Sequence, residues 1–265
     1  MAERSGYADG EPCWADVTTP DLEAGKRFYG AVFGWEFQDT GPDFGHYTMA
    51  LKDGKEVAAV TPPAPGTDSG VPPAWSTYLA SSDAGATAAR VEANGGKIIM
   101  GPMEIPGSGH MLVGFDPSGA PFGVWQPGGH MGSKLFGEPG ALSWAEINTR
   151  DGAAADGFYQ ALFGYQQQQI GDGDTFDYTL WTVDGRQVCG RQKMGADFPA
   201  AVPPHWMPYF GVDDADAAIQ RITDAGGQVR MGPFDSPYGR VAVIADPHGA
   251  VFSIIDESRR SQQPG

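Results

Sequence analysis

The sequence predicts an α+β fold made of four βαβββ modules. Three observations predict it. The chain repeats itself after about 130 residues, each repeat contains two short strands that begin with tryptophan, and a helical pattern follows each of those strands. Short strand-like runs separated by glycine and proline then complete each module.

The repeat can be read residue by residue. Residues 14–35 match residues 144–165 at 10 of 22 positions. Further along the chain, matching residues of the two halves are 131 positions apart. After a one-residue gap in the alignment they are again 130 positions apart. These later matches include Trp75/Trp206, Tyr78/Tyr209, Gly95-Gly96/Gly226-Gly227, Met100-Gly101-Pro102/Met231-Gly232-Pro233 and DPSGAPF (116–122)/DPHGAVF (246–252). We interpret the two halves as duplicates, each of which divides again into two modules.

The elements of one half illustrate the pattern. Residues 21–33 carry apolar side chains at helical spacing, and Gly34 is placed to end that helix. Residues 83–94 are rich in alanine, begin with an aspartate suited to an N-cap and stop at a Gly-Gly pair. The runs KIIMGPMEI, HMLVGFD and PFGVWQ then read as strands joined by turns.

This pattern predicts two domains and a linker. We expect the first domain at residues 1–127, with modules 12–62 and 73–127. The second domain is expected at 142–265, with modules 142–190 and 204–256. The intervening stretch 128–141 is rich in glycine and proline, which is typical of a linker.

Charge narrows the possible partners. The 265 residues include 17 basic and 33 acidic side chains, a net charge of −16. This argues against a nucleic-acid partner, which needs a basic surface, and against binding to anionic membranes. A negative surface raises the local concentration of cationic small molecules, although the same charge also serves solubility.

The location expected from the sequence is cytoplasmic. The first twelve residues contain no apolar run of the signal-peptide kind, and no stretch of 18 apolar residues occurs. Cys13 and Cys189 are the only cysteines, at unrelated positions, so free thiols are expected rather than a disulfide. No spacing of Cys and His suggests zinc.

Three sequence features resemble the vicinal oxygen chelate superfamily, which contains glyoxalase I, extradiol dioxygenases and bleomycin-resistance proteins. The run DLEAGKRFYGAVFGWEF is close to that superfamily's D-x-x-x-S-x-x-F-Y-x-x-x-L-G. The second helix ends in ANGG, and a D-P-x-G hairpin precedes the last strand. The two-domain form with tryptophan-led strands is similar to an actinobacterial subgroup described as hydroxylase-like. The resemblance implies that each half is a glyoxalase/bleomycin-resistance-like domain with a cup-shaped sheet.

The resemblance also identifies where metal-dependent members carry their His, Glu or Gln ligands. In this sequence, those positions are Trp14, Trp75 or Ser76, Gly123 and one of Ala58–Val60, and in the second half Trp144, Trp206 or Met207, Ser253 and one of 188–190. An indole nitrogen only donates hydrogen bonds, and glycine has no side chain to offer. We therefore expect no metal and no cofactor.

A tryptophan and a carboxylate two residues apart begin both halves. Because strand residues alternate faces, Trp14 and Asp16 share one face, whereas Cys13, Ala15 and Val17 share the other, which would pack on the helix. Trp144 and Glu146 repeat the arrangement. An indole stacks on planar ligands and a carboxylate binds a hydroxyl or ammonium group. The alternative is that these side chains simply fill the cup.

The predicted ligand-binding set extends these pairs with other aromatic residues of the four modules. Its members are Trp14, Asp16, Tyr47, Trp75, Trp125, Trp144, Glu146, Tyr178 and Trp206.

The favoured function is a metal-independent binding protein. It would sequester a planar aromatic or cationic natural product, either for antibiotic self-resistance or as an accessory to a biosynthetic enzyme, which would then be a possible partner. The alternative is a lyase, isomerase or hydroxylase-like enzyme with Asp16 or Glu146 as general base. A third possibility is an interaction protein whose cups are filled by its own side chains.

The two halves are expected to differ in size of site. Ala50 corresponds to Trp181, Asp16 to Glu146 and Gly123 to Ser253. If the larger side chains point inward, the second cup has less room, so we expect the first half to hold the larger ligand.

Overall fold

A computed structural model describes residues 3–63, 72–174, 176–196 and 198–261, which include every candidate site residue. The elements of the first half are β1 (Pro12–Thr18), α1 (Leu22–Phe33), β2 (Glu36–Asp39), β3 (Thr48–Lys52), β4 (Lys55–Thr61), β5 (Ala74–Ala80), α2 (Ala84–Ala93), β6 (Lys97–Ile105), β7 (Gly109–Phe115) and β8 (Pro121–Pro127). Those of the second half are β9 (Leu142–Thr149), α3 (Gly152–Phe163), β10 (Gln166–Ile170), β11 (Tyr178–Val183), β12 (Arg186–Lys193), β13 (His205–Gly211), α4 (Ala215–Asp224), β14 (Gln228–Ser236), β15 (Gly239–Ala245) and β16 (Val251–Asp256). Among the helices of these ranges, none is long and apolar enough to cross a membrane.

Each helix begins with the same capping interaction. An aspartate side chain accepts a hydrogen bond from the backbone amide three residues later, which satisfies a donor that the first helical turn leaves free. The capping pairs are Asp21–Ala24, Asp83–Ala86, Asp151–Ala154 and Asp214–Ala217. The helices α1 and α3 end at Gly34 and Gly164 in the left-handed conformation, with φ of 69° and 71°, which glycine adopts without steric cost.

The strands form two eight-stranded sheets with the same order. The first sheet runs β2-β3-β4-β1-β5-β8-β7-β6, and the second runs β10-β11-β12-β9-β13-β16-β15-β14. In each sheet the first strands of two modules, β1 with β5 or β9 with β13, pair antiparallel at the centre. The prediction of an α+β fold with four βαβββ modules, arranged as two tandem domains, is confirmed.

The two halves pack through their helices. The helix α1 lies against α4, and α2 lies against α3. One buried core contains Phe28 and Val32 of the first half together with Phe210 and Phe252 of the second. The helix-bearing sides of the two sheets therefore face each other, and the helix-free side of each sheet points away from the other half.

Buried hydrogen bonds cross between the halves. The Tyr29 hydroxyl donates to Asp246 Oδ2 at 2.9 Å, and Asp246 Oδ1 accepts from the backbone amides of His248 and Ala250 in the D-P-x-G hairpin. Trp75 Nε1 in turn donates to the Tyr29 hydroxyl at 3.2 Å. The hairpin aspartate thus joins a turn of one half to a helix of the other.

The sequence predicts that Trp75 and Trp206 line the cups. This prediction is wrong, because both side chains lie on the helix side of the sheets. Trp75 lies in the helix-side core, and Trp206 donates to the hydroxyl of Tyr159 at 2.8 Å in the matching core. Their position follows from strand register. Trp75 pairs with Val17, which faces the helices, and Trp206 pairs with Ile147, which does the same.

Cys13 also departs from the alternation expected along β1. It packs with Trp14 instead of sharing the helix side with Ala15 and Val17. The pairing of β1 with β5 shifts register between Pro12 and Trp14. Such a bulge interrupts the strict alternation of strand faces. Cys13 and Cys189 are both buried free thiols, as expected.

Candidate functional site

Strand register defines two candidate surfaces. Directly paired residues on neighbouring strands point to the same side of a sheet. We call the helix-free side of the first sheet, centred on Trp14, Asp16 and Tyr78, the first outer face. The helix-free side of the second sheet, centred on Trp144, Glu146 and Tyr209, is the second outer face.

The centre of the first outer face is a hydrogen-bonded cluster around Asp16. Trp14 Nε1 donates to the Tyr47 hydroxyl at 2.7 Å, and that hydroxyl donates to Asp16 Oδ2 at 3.0 Å. Tyr78 and Ser76 also hydrogen-bond Asp16. Asp16 is only 5% exposed. Burial raises the pKa of Asp16 to about 6, although the hydrogen bonds from Tyr47, Tyr78 and Ser76 oppose the rise.

The second outer face repeats this cluster around Glu146. Trp144 Nε1 donates to the Tyr178 hydroxyl at 2.8 Å, and the Tyr209 hydroxyl donates to Glu146 Oε1 at 2.8 Å. Tyr178 and Asn148 complete the hydrogen bonds to Glu146. Burial raises the pKa of Glu146 to about 7, against the lowering effect of these donors. The structure therefore brings the predicted Trp14, Asp16 and Tyr47 together, and likewise Trp144, Glu146 and Tyr178.

Sequence reasoning missed Tyr78 and Ser76 in the first cluster and Tyr209 and Asn148 in the second. Tyr78 and Tyr209 match each other in the repeat, but neither was predicted to belong to the site. They reach the carboxylates because β5 pairs with β1 and β13 pairs with β9, which sets Tyr78 opposite Trp14 and Tyr209 opposite Trp144. Pairing the two tryptophan-led strands of each half with each other would have found them.

Small residues make room for the tyrosine rings. A Cβ atom at Gly123 would collide with the ring of Tyr78, and one at Gly190 would collide with the Tyr178 hydroxyl. Gly123 pairs with Tyr78, and Gly190 pairs with Glu146, so both lie on the outer faces. Glycine thus occupies two of the positions at which the resemblance to the vicinal oxygen chelate superfamily implies metal ligands.

The donor set does not fit a divalent metal. The outer-face residues at the ligand positions are Trp14, Ala59, Ser76 and Gly123 in the first half and Trp144, Gly190, Met207 and Ser253 in the second. None is a carboxylate or imidazole. Over the described residues, no group of three or more His, Cys, Asp or Glu side chains is placed to hold an ion. Asp16 and Glu146 are instead each surrounded by hydroxyl donors.

The segment after β8 covers the first outer face. Trp125 Nε1 donates to the backbone oxygen of His130 at 2.9 Å, and the His130 ring meets Trp14 edge-on with ring centroids 4.5 Å apart. His130 Nδ1 lies 3.2 Å from Glu56 Oε2. Burial lowers the pKa of His130, against the effect of the Glu56 charge. The predicted linker therefore contributes a side chain to the first half, and Trp14 is left only 4% exposed.

Among the residues that the structure describes, no ring packs on Trp144 as that of His130 packs on Trp14. Ile255 stands where the first half has Trp125, and Trp144 is only partly buried. Phe176 is 46% exposed and stacks on Tyr178 with ring centroids 6.1 Å apart and nearly parallel planes. An aromatic surface is thus available on the second outer face.

Trp181 does not narrow the second outer face, so that premise of the size prediction is wrong. It is fully buried on the helix side, where it stacks on Tyr165, and its Nε1 donates to Asp156 Oδ1 at 2.9 Å. Its strand partner is Cys189, another residue of the helix-side core.

Exposed apolar side chains extend both outer faces toward an edge strand. Met100 pairs with Val113, the partner of Gly123, and Met231 occupies the same place relative to Ser253. Four side chains of the edge strands β6 and β14 are 41–48% exposed: Met100, Met103, Met231 and Phe234. Thioether and aromatic groups at such sites adapt to flat apolar partners.

The chain belongs to the glyoxalase/bleomycin resistance protein/dioxygenase superfamily, whose model matches residues 13–124 and 141–254. Among curated proteins it is similar to the anthracycline biosynthesis protein DauV of Streptomyces sp. strain C5, with 40% identity over 262 residues and 94% of each chain covered. It is also similar to the putative glyoxylase CFP32 of Mycobacterium tuberculosis, with 39% identity over 258 residues, 96% of this chain and 98% of that one.

Solved structures share the fold at low sequence identity. The Mn(II)-bound glyoxalase from Novosphingobium aromaticivorans is 18% identical with a TM-score of 0.64, over 97% of this chain and 87% of that one. BphC, a halotolerant catechol dioxygenase, is 17% identical with a TM-score of 0.63, over 94% and 87%. At this identity the likeness establishes the fold alone.

Proposed function

We propose that this protein binds a planar aromatic or cationic natural product on an outer face, without using a metal. The observation that carries the proposal is the conversion of the family's metal positions. Tryptophan, glycine, alanine, serine and methionine stand there, and tyrosine hydroxyls bond to the buried carboxylate of each outer face. Such a surface offers stacking and hydrogen bonds, which are the contacts a flat hydroxylated ligand needs.

The second outer face supports binding better than the first. Trp144 and Phe176 present aromatic surface to solvent, whereas His130 and Trp125 already occupy the space beside Trp14. This reverses the expectation that the first half holds the larger ligand. Glu146 then lies beneath the ligand as a hydrogen-bond acceptor for a phenolic or alcoholic hydroxyl group.

The relatives suggest the kind of ligand. DauV is named an anthracycline biosynthesis protein, and anthracyclines are planar aromatic natural products. A role in self-resistance, or as an accessory that removes the inhibitory product of a biosynthetic enzyme, fits a protein that holds such a compound without changing it. The net charge of −16 favours approach by a cationic one.

Tryptophan fluorescence titration with an anthracycline tests this proposal. Wild type should be quenched with a dissociation constant below tens of micromolar, and Trp144→Ala should weaken binding by about fivefold or more, since a stacked aromatic contributes about 1 kcal/mol beyond its buried area. Trp14→Phe is the matched control and should leave affinity unchanged. Binding that survives Trp144→Ala but disappears in Trp14→Phe would contradict the assignment.

A second candidate function is general base catalysis by Glu146. Its raised pKa, to about 7, and its buried position beside Tyr209 are what a base working near neutral pH needs. The relative CFP32 is named a putative glyoxylase. In such a lyase or isomerase step, the carboxylate would take a proton from the carbon next to a carbonyl group. Asp16, with a pKa of about 6, is the equivalent group in the first half.

Turnover of the hemithioacetal of methylglyoxal and glutathione tests this second candidate. EDTA-treated wild type should be active, with a rate that rises with pH through about 7 as Glu146 ionises. Glu146→Gln should then lose at least about 100-fold, and Asp16→Asn should serve as the comparison. Equal rates in wild type and Glu146→Gln would remove Glu146 as the base.

A further inference from the structure

A cleft between the two halves contains two arginines and one carboxylate. Its volume is about 160 Å³, and it forms where β1 and β12 begin. The charged residues that line it are Arg4 and Glu11 of the first half and Arg186 of the second. Phe136, from the predicted linker, also lines the cleft. None of these residues belongs to the hydrogen-bonded cluster of either outer face, so the cleft is a separate candidate site.

A single carboxylate oxygen lies beside both arginines. Arg186 Nη2 is 3.0 Å from Glu11 Oε1, and Arg4 Nη1 is 3.8 Å from the same atom. The other oxygen, Oε2, accepts a hydrogen bond from the backbone amide of Ala8 at 2.8 Å. Within the part of the chain that the structure describes, no other carboxylate lies within 4 Å of either guanidinium group. The charged side chains of the cleft therefore sum to one positive charge.

Aromatic rings hold Arg4 without using its hydrogen-bond donors. Its guanidinium carbon lies 5.2 Å from the centre of the Tyr7 ring and 4.9 Å from that of Phe136. A guanidinium group that lies over a ring keeps the N–H groups in its own plane for a hydrogen-bonding partner. The distance of 3.8 Å to Glu11 is too long for a hydrogen bond. Arg4 is thus positioned by packing, and its donors are available.

Both arginines can be reached from solvent, unlike the carboxylate between them. The side chain of Arg186 is 54% exposed and that of Arg4 is 26% exposed, whereas that of Glu11 is 5% exposed. A guanidinium group presents a planar fork of donors that matches the two oxygens of a carboxylate. Pro12 and Val188 add apolar surface to the lining. The cleft therefore offers charge and donors to an anion and apolar contacts to a carbon skeleton.

The corresponding place on the other side of the molecule is electrically balanced. The residues that correspond there to Arg4, Glu11 and Arg186 are Lys134, Ala141 and Lys55. Lys134 Nζ lies 3.3 Å from a carboxylate oxygen of Glu56, and Lys55 Nζ lies 3.1 Å from one of Glu3. Each lysine thus has a carboxylate of its own. The unbalanced positive charge belongs to one cleft and not to the shared scaffold, and it occurs in a chain with a net charge of −16.

We infer that this cleft binds the carboxylate group of a small organic acid through Arg4 and Arg186. One negative charge neutralises the cleft, and the two oxygens of a carboxylate match the guanidinium forks. The carbon part of the acid contacts Phe136 and Val188. The inference goes beyond the proposed binding of an aromatic product on an outer face and does not depend on it.

Benzoate and benzamide test the inference, because they share a ring and differ in charge. Their binding would be measured by ligand-detected NMR titration at pH 7 and low salt. We expect wild type to bind benzoate with a dissociation constant of about 1 mM or below, and benzamide at least about tenfold more weakly. Arg186→Gln alters an exposed side chain and should weaken benzoate binding by about tenfold, because it removes a charge-assisted pair. Benzamide binding should not change.

The matched control is Lys55→Gln, at the corresponding position of the first half, which should keep the wild-type affinity for benzoate. Glu11→Gln removes the carboxylate that competes for the arginines and should tighten benzoate binding by about threefold or more, which a purely structural ion pair would not do. Circular dichroism checks that each variant is folded. Equal binding of benzoate and benzamide to wild type, or a benzoate affinity that does not fall in Arg186→Gln or does not rise in folded Glu11→Gln, would overturn the inference. Tighter binding of inorganic phosphate than of benzoate would overturn the assignment to a carboxylate.

Discussion

The two outer faces show how one scaffold acquires two surfaces. Both carry a tryptophan, two tyrosines and a buried carboxylate in the same strand positions. The first is covered by His130 and Trp125, whereas the second has Ile255 at the latter position. Residues outside the repeated cluster, in the connector and at the strand ends, therefore distinguish the two surfaces.

The largest expected difference between the halves concerns the tryptophans themselves. Trp14 packs against His130 and is nearly buried, so Trp14→Ala should lower the free energy of unfolding by about 3–5 kcal/mol. Trp144→Ala should cost about half as much, because Trp144 already contacts solvent. Urea denaturation followed by circular dichroism measures both. Equal losses would mean that the two tryptophans are packed alike.

The pH dependence of stability should separate the two carboxylates. In the folded state the pKa of Asp16 rises from 3.8 to about 6 and that of Glu146 from 4.5 to about 7. A raised pKa means that folding favours the protonated form. The resulting stabilisation is present below the unfolded pKa and is lost as pH rises through the folded one, by on the order of 3 kcal/mol for each group.

Urea unfolding between pH 4 and pH 8 tests this sign. In Asp16→Asn, the part of the fall in the free energy of unfolding that ends near pH 6 should be absent. In Glu146→Gln, the part that extends to about pH 7 should be absent. His130 and His205 act in the opposite sense, since burial lowers their pKa. The free energy of unfolding of each variant is therefore compared with that of wild type at the same pH, so that the contribution of the histidines cancels. A wild-type stability curve that runs parallel to that of Glu146→Gln from pH 5 to 7.5 would refute the raised pKa of Glu146.

Exchanging the residues beneath the tyrosines should have unequal effects. The Tyr78 ring lies where a Cβ atom on Gly123 would be, while Ser253 occupies the matching place in the second half and Tyr209 is less buried. Gly123→Ser should therefore destabilise the protein by about 2 kcal/mol through overpacking, and Ser253→Gly by less than about 1 kcal/mol. Thermal unfolding of both variants provides the measurement. A neutral Gly123→Ser would show that Tyr78 moves freely.

The sequence predicted the secondary structure and the strand faces of the candidate sites, but not which residues meet across neighbouring strands. Repeats, capping aspartates and strand alternation predicted the four modules, and they predicted that Trp14 shares a strand face with Asp16 and Trp144 with Glu146, because these features depend on local spacing. The positions of Trp75 and Trp181 depend on which strand lies beside which, and on one-residue shifts in register. The sequence alone does not show whether a tryptophan at the start of a strand lies on the helix side or on the outer face of the sheet. That depends on the register with its partner strand.

Long-range contacts account for the rest. The stretch 128–141 reads as a linker because of its glycines and prolines, yet the amides of Gly128 and His130 both donate to the backbone oxygen of Ser108. The D-P-x-G motif predicts a turn, but its second function, the bond from Tyr29 to Asp246, joins residues 217 positions apart. No local pattern contains such information.

The smallest expected effect, at His130, bears most directly on the comparison. Its ring contacts Trp14 and its Nδ1 lies 3.2 Å from Glu56, but it is not fully buried, so His130→Ala should cost only about 1 kcal/mol of stability. Its removal uncovers the edge of Trp14 and gives the first outer face an open aromatic surface. The number of molecules of 1-pyrenemethanol, a flat aromatic probe, bound per chain should then rise from one toward two, as calorimetry would show. His248→Ala, in the hairpin turn of the second half, is the control and should leave the number at one. If His130→Ala also leaves it at one, the connector is not what closes the first outer face, and the cause lies in the packing of Trp125 against that face.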